Sequence, residues 1–101
     1  MDRKVDAIKA FTDAVDVDPQ YVEAWNNLGN ALSECNRPEE AISAYGRALV
    51  LEPFYADAHY NLAETLAGSG RMKLAREHWR SYLRLDPHSP WAEDVRRRLE
   101  E

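Results

Sequence analysis

The chain repeats itself every 34 residues, and this period constrains its fold more than any local propensity does. Residues 20–53 and residues 54–87 align without a gap and are identical at ten positions. The identical pairs are Tyr21/Tyr55, Ala24/Ala58, Asn27/Asn61, Leu28/Leu62, Leu32/Leu66, Arg37/Arg71, Ala41/Ala75, Leu49/Leu83, Leu51/Leu85 and Pro53/Pro87. A period of this length predicts that one supersecondary unit stacks on copies of itself, so that neighbouring units share a hydrophobic core.

Each unit is predicted to consist of two α-helices joined by a short turn. Trp25, Leu28 and Leu32 recur at helical spacing, and the second half of the unit shows the same spacing. Asn36, and Gly70 one period later, fall where the chain must reverse, and both residue types tolerate the left-handed backbone that ends a helix. A proline follows each second helix and disfavours helix at the preceding residue. The predicted fold class is therefore all-α.

The two ends of the chain are predicted to be partial repeats. Residues 1–19 align with the second half of a unit, so they predict a second helix without its first helix. In residues 88–101, Trp91, Val95 and Leu99 recur every four residues, which indicates a capping helix with Trp91 packed in the core. We therefore divide a single domain, residues 1–101, into a half repeat (1–19), two repeats (20–53 and 54–87) and a cap (88–101).

The pattern resembles the tetratricopeptide repeat (TPR). The first unit carries the signature as Trp25, Leu28, Gly29, Leu32, Ala41, Tyr45, Ala48 and Pro53, and the second as His59, Leu62, Ala63, Leu66, Ala75, Trp79, Tyr82 and Pro87. The resemblance implies a right-handed superhelical α-solenoid of antiparallel helix hairpins, with a concave groove that binds an extended peptide in an adaptor or scaffold role. It also indicates that the chain is a fragment of a longer array.

A polar stripe on the first helix of each unit is the candidate peptide-binding site. A carboxamide offers a donor and an acceptor, so Asn27 and Asn61 suit capture of a peptide backbone, as the asparagine ladders of related proteins do. The acidic residues of this stripe, among them Glu23 and Asp57, favour the binding of neutral or basic segments and disfavour a C-terminal carboxylate. The alternative is that both asparagines are merely solvated. The candidate groove residues are Glu23, Asn27, Asn30, Glu34, Asp57, Asn61, Glu64 and Arg98.

An apolar stripe on the first predicted helix suggests a second function, self-association. The stripe consists of Val5, Ile8, Phe11 and Val15, and a single neighbouring helix is expected to cover it only in part. Either the stripe is covered by upstream repeats of a longer protein, or another copy of the chain covers it. A homo-oligomer therefore remains an alternative to the peptide-binding module.

Composition and spacing argue against several other classes of protein. The single cysteine, Cys35, allows no intrachain disulfide, and the three histidines lack the spacing of a zinc site. We therefore expect no metal, no cofactor and no enzymatic activity.

The net charge is −5, with five basic and twelve acidic side chains before residue 71, so nucleic acid is an unfavourable partner. Since no membrane-spanning or export segment is apparent, the expected location is the cytoplasm.

Overall fold

The computed structural model describes residues 3–101, and within that range the chain is all-α. Its six helices run antiparallel in sequence order, as an all-α helical repeat requires. They are α1 (Arg3–Val17), α2 (Val22–Glu34), α3 (Pro38–Leu51), α4 (Ala56–Gly68), α5 (Met72–Leu85) and α6 (Ala92–Glu100). Helix α2 pairs with α3 and α4 with α5, and α4 also packs on α3 so that the hairpins stack. The division into units at residues 20, 54 and 88 agrees with these pairs but stays a prediction.

The turns inside the two hairpins have the same backbone geometry. Asn36 has φ of 58° and Gly70 has φ of 80°, so both adopt the left-handed conformation predicted from their residue types. In each turn the following amide reaches back into the helix: Arg37 N donates to Leu32 O at 2.9 Å, and Arg71 N donates to Leu66 O at 2.8 Å. This pair of Schellman motifs explains why the two hairpins reverse at equivalent positions.

Small residues and a few large rings share the interior. Ala41, Ala58, Ala63 and Ala75 are completely buried, which lets the paired helices approach closely. Trp79 and Tyr45 fill the space between the helices and are 1% and 2% exposed. The core therefore combines close alanine contacts with these rings and with buried leucines of α2 and α4, and each ring has little freedom to move.

The two ends of the chain correct two expectations. Val15 is only 5% exposed and belongs to the chain's own core, so it is not part of an uncovered stripe. Trp91 was expected in the core but is 56% exposed, because it precedes α6, whose buried side chains are Ala92 and Val95, with Leu99 partly buried. None of the helices in residues 3–101 is long and apolar enough to cross a membrane.

Candidate peptide-binding groove

A depression of the surface with a partly polar lining lies between α2, α4 and the start of α6. Its volume is about 390 Å³, within the range of roughly 300–1,000 Å³ that ligand-binding clefts occupy. Carboxamides from α2 and α4 form one part of its lining, and aromatic rings form another. The carboxamides are Asn26, Asn27, Asn30 and Asn61, and the rings are Tyr55, Tyr60, Tyr82 and Trp91.

Internal hydrogen bonds fix two of the predicted groove asparagines. Asn61 Nδ2 donates to Asn26 Oδ1 at 3.2 Å, which links α4 to α2. Asn30 Oδ1 accepts a hydrogen bond of 2.6 Å from the Tyr45 hydroxyl. Each bond uses only part of the carboxamide, so Asn61 keeps its oxygen and one N–H, and Asn30 keeps both N–H groups. The side chain of Asn27 is exposed and makes no hydrogen bond within residues 3–101.

The tyrosine that holds Asn30 remains a donor at any physiological pH. Burial raises the pKa of Tyr45 to about 12, because the phenolate would lose its hydration in the core. The neutral hydroxyl therefore always presents a proton to Asn30 Oδ1. As a result the hydrogen bond that holds the Asn30 carboxamide does not change over this pH range.

The groove continues along the same two helices toward their C-terminal ends. A second depression of about 340 Å³ shares Asn30 and Asn61 with the first, and Glu34 and Glu64 also line it. Ser33 Oγ and Thr65 Oγ1 lie 3.3 Å apart and hydrogen-bond across it, a second link between α2 and α4. The predicted stripe residues of α2 and α4 line one or other of these two depressions, except Glu23, which lines a separate depression beside Asp18 and Glu52.

Two of the predicted groove charges neutralise each other. Arg98 of α6 forms a hydrogen-bonded ion pair with Glu64 of α4, and Arg98 Nε lies 3.2 Å from Asp94 Oδ2. Its guanidinium also lies 5.4 Å from the centre of the Trp79 ring. Arg98 thus links α6 to α4 through this ion pair, and the Glu64 carboxylate already has a cationic partner. Glu23 and Asp57 are exposed and form no ion pair in the described part of the chain.

No side chains in residues 3–101 are grouped in threes with the chemistry to hold a metal ion. Two histidines, one on α4 and one on α5, form a hydrogen-bonded pair. His59 Nε2 donates to the Pro53 carbonyl at 2.8 Å, so its Nδ1 accepts from His78 Nδ1 at 3.0 Å. Trp25 Nε1 makes the equivalent bond to the Pro19 carbonyl at 2.8 Å one period earlier. His59 therefore makes, in the second repeat, the same side-chain hydrogen bond that Trp25 makes in the first.

Sequence models of protein families agree with the geometry. Two models described as tetratricopeptide repeat match the chain, one over residues 34–90, more than half of it, and the other over residues 10–43. The chain is a tetratricopeptide repeat protein. A search of curated proteins gives no match to it.

Solved TPR structures share the whole fold of this TPR protein. The first TPR of Spaghetti, bound to an HSP90 peptide, is 20% identical, with a TM-score of 0.90 over 97% of this chain and 79% of that chain. The chaperone SycD of Yersinia enterocolitica, in complex with a peptide of the translocator YopD, is 22% identical with a TM-score of 0.89, over 97% and 78% of the two chains. The Arabidopsis OM64 TPR domain is 19% identical with a TM-score of 0.91, over 97% and 81%. At these identities the likeness concerns the fold.

The TPR register also reveals a groove residue that the sequence analysis missed. Trp91 lies 34 residues after Asp57, which lies 34 residues after Glu23, so all three occupy one position of the repeat. The same period that placed Asn27 and Asn61 in the groove would have placed Trp91 there. The hydrophobic spacing of Trp91, Val95 and Leu99 hid this signal, since it suggested a buried ring. Asn26 was missed because a buried carboxamide is rare without a partner, and its partner lies in the next repeat.

Proposed function

We propose that this TPR protein is a protein-interaction module that binds an extended segment of a partner along the groove formed by α2 and α4. The observation that carries the proposal is the pair Asn27 and Asn61, which lie one repeat apart and line the same depression. Each has hydrogen-bonding capacity that the fold does not use. An extended chain presents N–H and C=O groups at regular intervals, so a row of carboxamides can bind it without reading its side chains.

Charge supports a preference for neutral or basic segments. The exposed carboxylates of Glu23 and Asp57 lie at equivalent places in the two repeats, and Asp57 lines the groove itself. Arg98 does not offset them, because Glu64 and Asp94 already engage it. An acidic C-terminal tail would meet like charges here. We therefore infer that this groove differs in preference from that of the Spaghetti TPR, whose bound HSP90 peptide contains two glutamates and an aspartate.

The peptide complexes of similar folds support the general mode of binding. Spaghetti and SycD each hold a peptide on a scaffold that superposes on nearly all of this chain.

A binding assay with groove variants tests the proposal. A library of fluorescent decapeptides is screened, and the affinity of the best binder is then measured for Asn27→Ala, Asn61→Ala and the double variant. We expect each substitution to weaken binding by about threefold to tenfold, since a neutral hydrogen bond contributes roughly 0.5–1.5 kcal/mol. Asn27→Ala is the cleaner probe, because Asn27 makes no internal bond whereas Asn61→Ala also leaves the Asn26 oxygen unpaired.

The matched control is Ser43→Ala, an exposed polar residue of α3 that does not line the groove. It should bind like the wild-type protein. Circular dichroism of all variants shows whether the helices remain intact. Unchanged affinity in the Asn27→Ala, Asn61→Ala double variant would show that the carboxamides do not hold the peptide.

Self-association through α1 is a second candidate, and one observation favours it. Helix α1 packs against α2 and against no other helix of the described chain, and Val5 is 56% exposed. Ile8 and Phe11 are partly buried against the core, so less apolar surface is free than the sequence suggested. Sedimentation velocity over a range of concentrations tests this candidate. An oligomer that dissociates in Val5→Glu would support it, and a monomer at every concentration would exclude it.

A further inference from the structure

Three aromatic rings form an open box at the end of the groove where α4, α5 and α6 meet. The Tyr60 ring stands between the other two, with its centroid 5.2 Å from that of Tyr82 and 6.3 Å from that of Trp91. Its plane is tilted by 56° and 53° to their planes. Tyr82 is 3% exposed and its hydroxyl is hydrogen-bonded to Ser89 Oγ, so the base of the box is rigid.

Trp91 is the most exposed of the three tryptophans of the chain. An indole that is 56% exposed leaves one of the largest apolar surfaces of the chain in contact with water. Trp79, by comparison, is 1% exposed. Trp91 also lines the groove together with Tyr60 and Asp57, so its free surface faces the place where a partner would lie.

Negative charge surrounds the box. Burial, and then the neighbouring Glu64 carboxylate, raise the pKa of the Tyr60 hydroxyl. Burial, followed by the carboxylates of Asp57 and Glu23, raises the pKa of the Tyr55 hydroxyl at the adjoining wall. Both phenols are therefore neutral at physiological pH, and most of the charged groups that act on their hydroxyls are carboxylates. The Asp57 carboxylate has no cationic partner within residues 3–101.

The cation that acts on the Tyr60 hydroxyl, Arg98, is already engaged. Arg98 influences Tyr60, but it is paired with Glu64 and Asp94 and lies over Trp79. Arg97 and Arg98 together pair with two carboxylates, Glu64 and Asp94, so the Asp57 carboxylate remains as an uncompensated negative charge in the described part of the chain. An aromatic face beside an unpaired carboxylate attracts a cation through the ring quadrupole and through charge. An apolar side chain in the same place would have to desolvate Asp57.

We propose that the box formed by Tyr60, Tyr82 and Trp91, together with Asp57, is the subsite for an arginine side chain of the bound segment. This inference rests on the proposed peptide-binding function and names the side chain that gives it selectivity. The planar guanidinium stacks on the exposed face of Trp91 and donates hydrogen bonds to the Asp57 carboxylate. Arginine suits the site better than lysine because a flat, weakly hydrated cation can stack and donate two bonds at once.

Replacement of arginine by citrulline in the peptide tests the subsite, because citrulline has the same shape without the charge. Each arginine of the best-binding peptide is exchanged in turn, and the affinity is measured for the wild-type protein, Trp91→Leu and Asp57→Asn. We expect one citrulline peptide to bind the wild-type protein about tenfold more weakly. In both variants that difference should fall to about twofold or less. Phe54→Leu removes an exposed ring that does not line the groove, and it should retain the tenfold difference.

The outcomes separate failure of the subsite from failure of the groove. If peptides bind in an Asn27-dependent manner but every citrulline peptide binds the wild-type protein as well as its arginine parent, the subsite is refuted and the groove stands. An equal loss of both peptides in Trp91→Leu would make Trp91 an apolar anchor and also refute the subsite. If the wild-type protein binds no peptide of the library, the proposed function fails and the subsite fails with it.

Discussion

At the scale of single residues, the contact between Gly29 and Tyr45 shows how closely the helices of a hairpin approach. A Cβ atom on Gly29 would lie 2.5 Å from Tyr45 Cε1 and 2.6 Å from Cδ1, far inside van der Waals contact. The ring cannot retreat easily, because Tyr45 is 2% exposed and its hydroxyl is bonded to Asn30. The signature glycine of the repeat is therefore required by the ring that packs on it.

This contact predicts that Gly29→Ala destabilises the fold. Gly46→Ala is the matched control, since Gly46 also lies within a helix but has no neighbour within 4 Å of an added Cβ. Both changes gain the same helix propensity, so the difference between them isolates the overlap with Tyr45. We expect the free energy of unfolding of Gly29→Ala to be lower than that of Gly46→Ala by about 1–3 kcal/mol. Urea denaturation measures both; equal values would mean that Tyr45 moves without cost.

At the scale of helices, the histidine pair that joins α4 to α5 makes the hairpin sensitive to acid. Burial, and then the proximity of His59, lower the pKa of His78, although Glu77 acts in the opposite direction. The unfolded chain binds this proton at about pH 6.5, whereas the folded chain binds it only at a lower pH. Stability is therefore complete above about pH 6.5 and is lost as the pH falls below that value.

This linkage predicts a difference between two histidine variants. Between pH 7.5 and pH 5.5 the free energy of unfolding should decrease more for the wild-type protein than for His78→Gln, which cannot bind the proton. His88→Gln, a change at an exposed histidine, should follow the wild-type curve. Urea midpoints at several pH values provide the measurement. Parallel curves for all three proteins would show that the histidine pair does not contribute.

Helix α6 closes the core through a small number of contacts, and this too can be measured. Val95 is completely buried against the last hairpin, whereas Arg97 on the same helix is exposed and makes a long surface ion pair of 3.6 Å with Asp94. We expect Val95→Ala to lower the free energy of unfolding by about 2 kcal/mol, and Arg97→Ala to change it by less than about 0.5 kcal/mol. A neutral effect of Val95→Ala would mean that α6 is not part of the cooperative unit.

At the scale of the whole molecule, the sequence period predicted the helices because helix punctuation repeats with it. Asn36 and Gly70 mark the turns, and the prolines mark the ends of α3 and α5. Of the groove, the sequence predicted only that polar residues form a stripe along the first helix of each repeat. Which charges remain free depends on contacts between repeats, such as Arg98 with Glu64, and a period cannot reveal these.

The same limitation explains the errors about burial. Hydrophobic spacing indicated a buried Trp91, which was wrong, and an α1 stripe covered only in part, from which the buried Val15 must be removed. Hydrophobic spacing identifies the residues that share one face of a helix. It does not show how much of that face the adjacent helix covers. Helix α2 reaches Val15 near the C-terminal end of α1 and leaves Val5 exposed, while α6 begins just after Trp91.

The most direct test of the account is a nuclear magnetic resonance titration of the isotope-labelled protein with the best-binding peptide. We predict that the side-chain amide signals of Asn27 and Asn61 and the indole N–H signal of Trp91 move most, while the signals of α1 stay in place. Large changes along α1 or around Trp25, with these three side-chain signals unmoved, would contradict it.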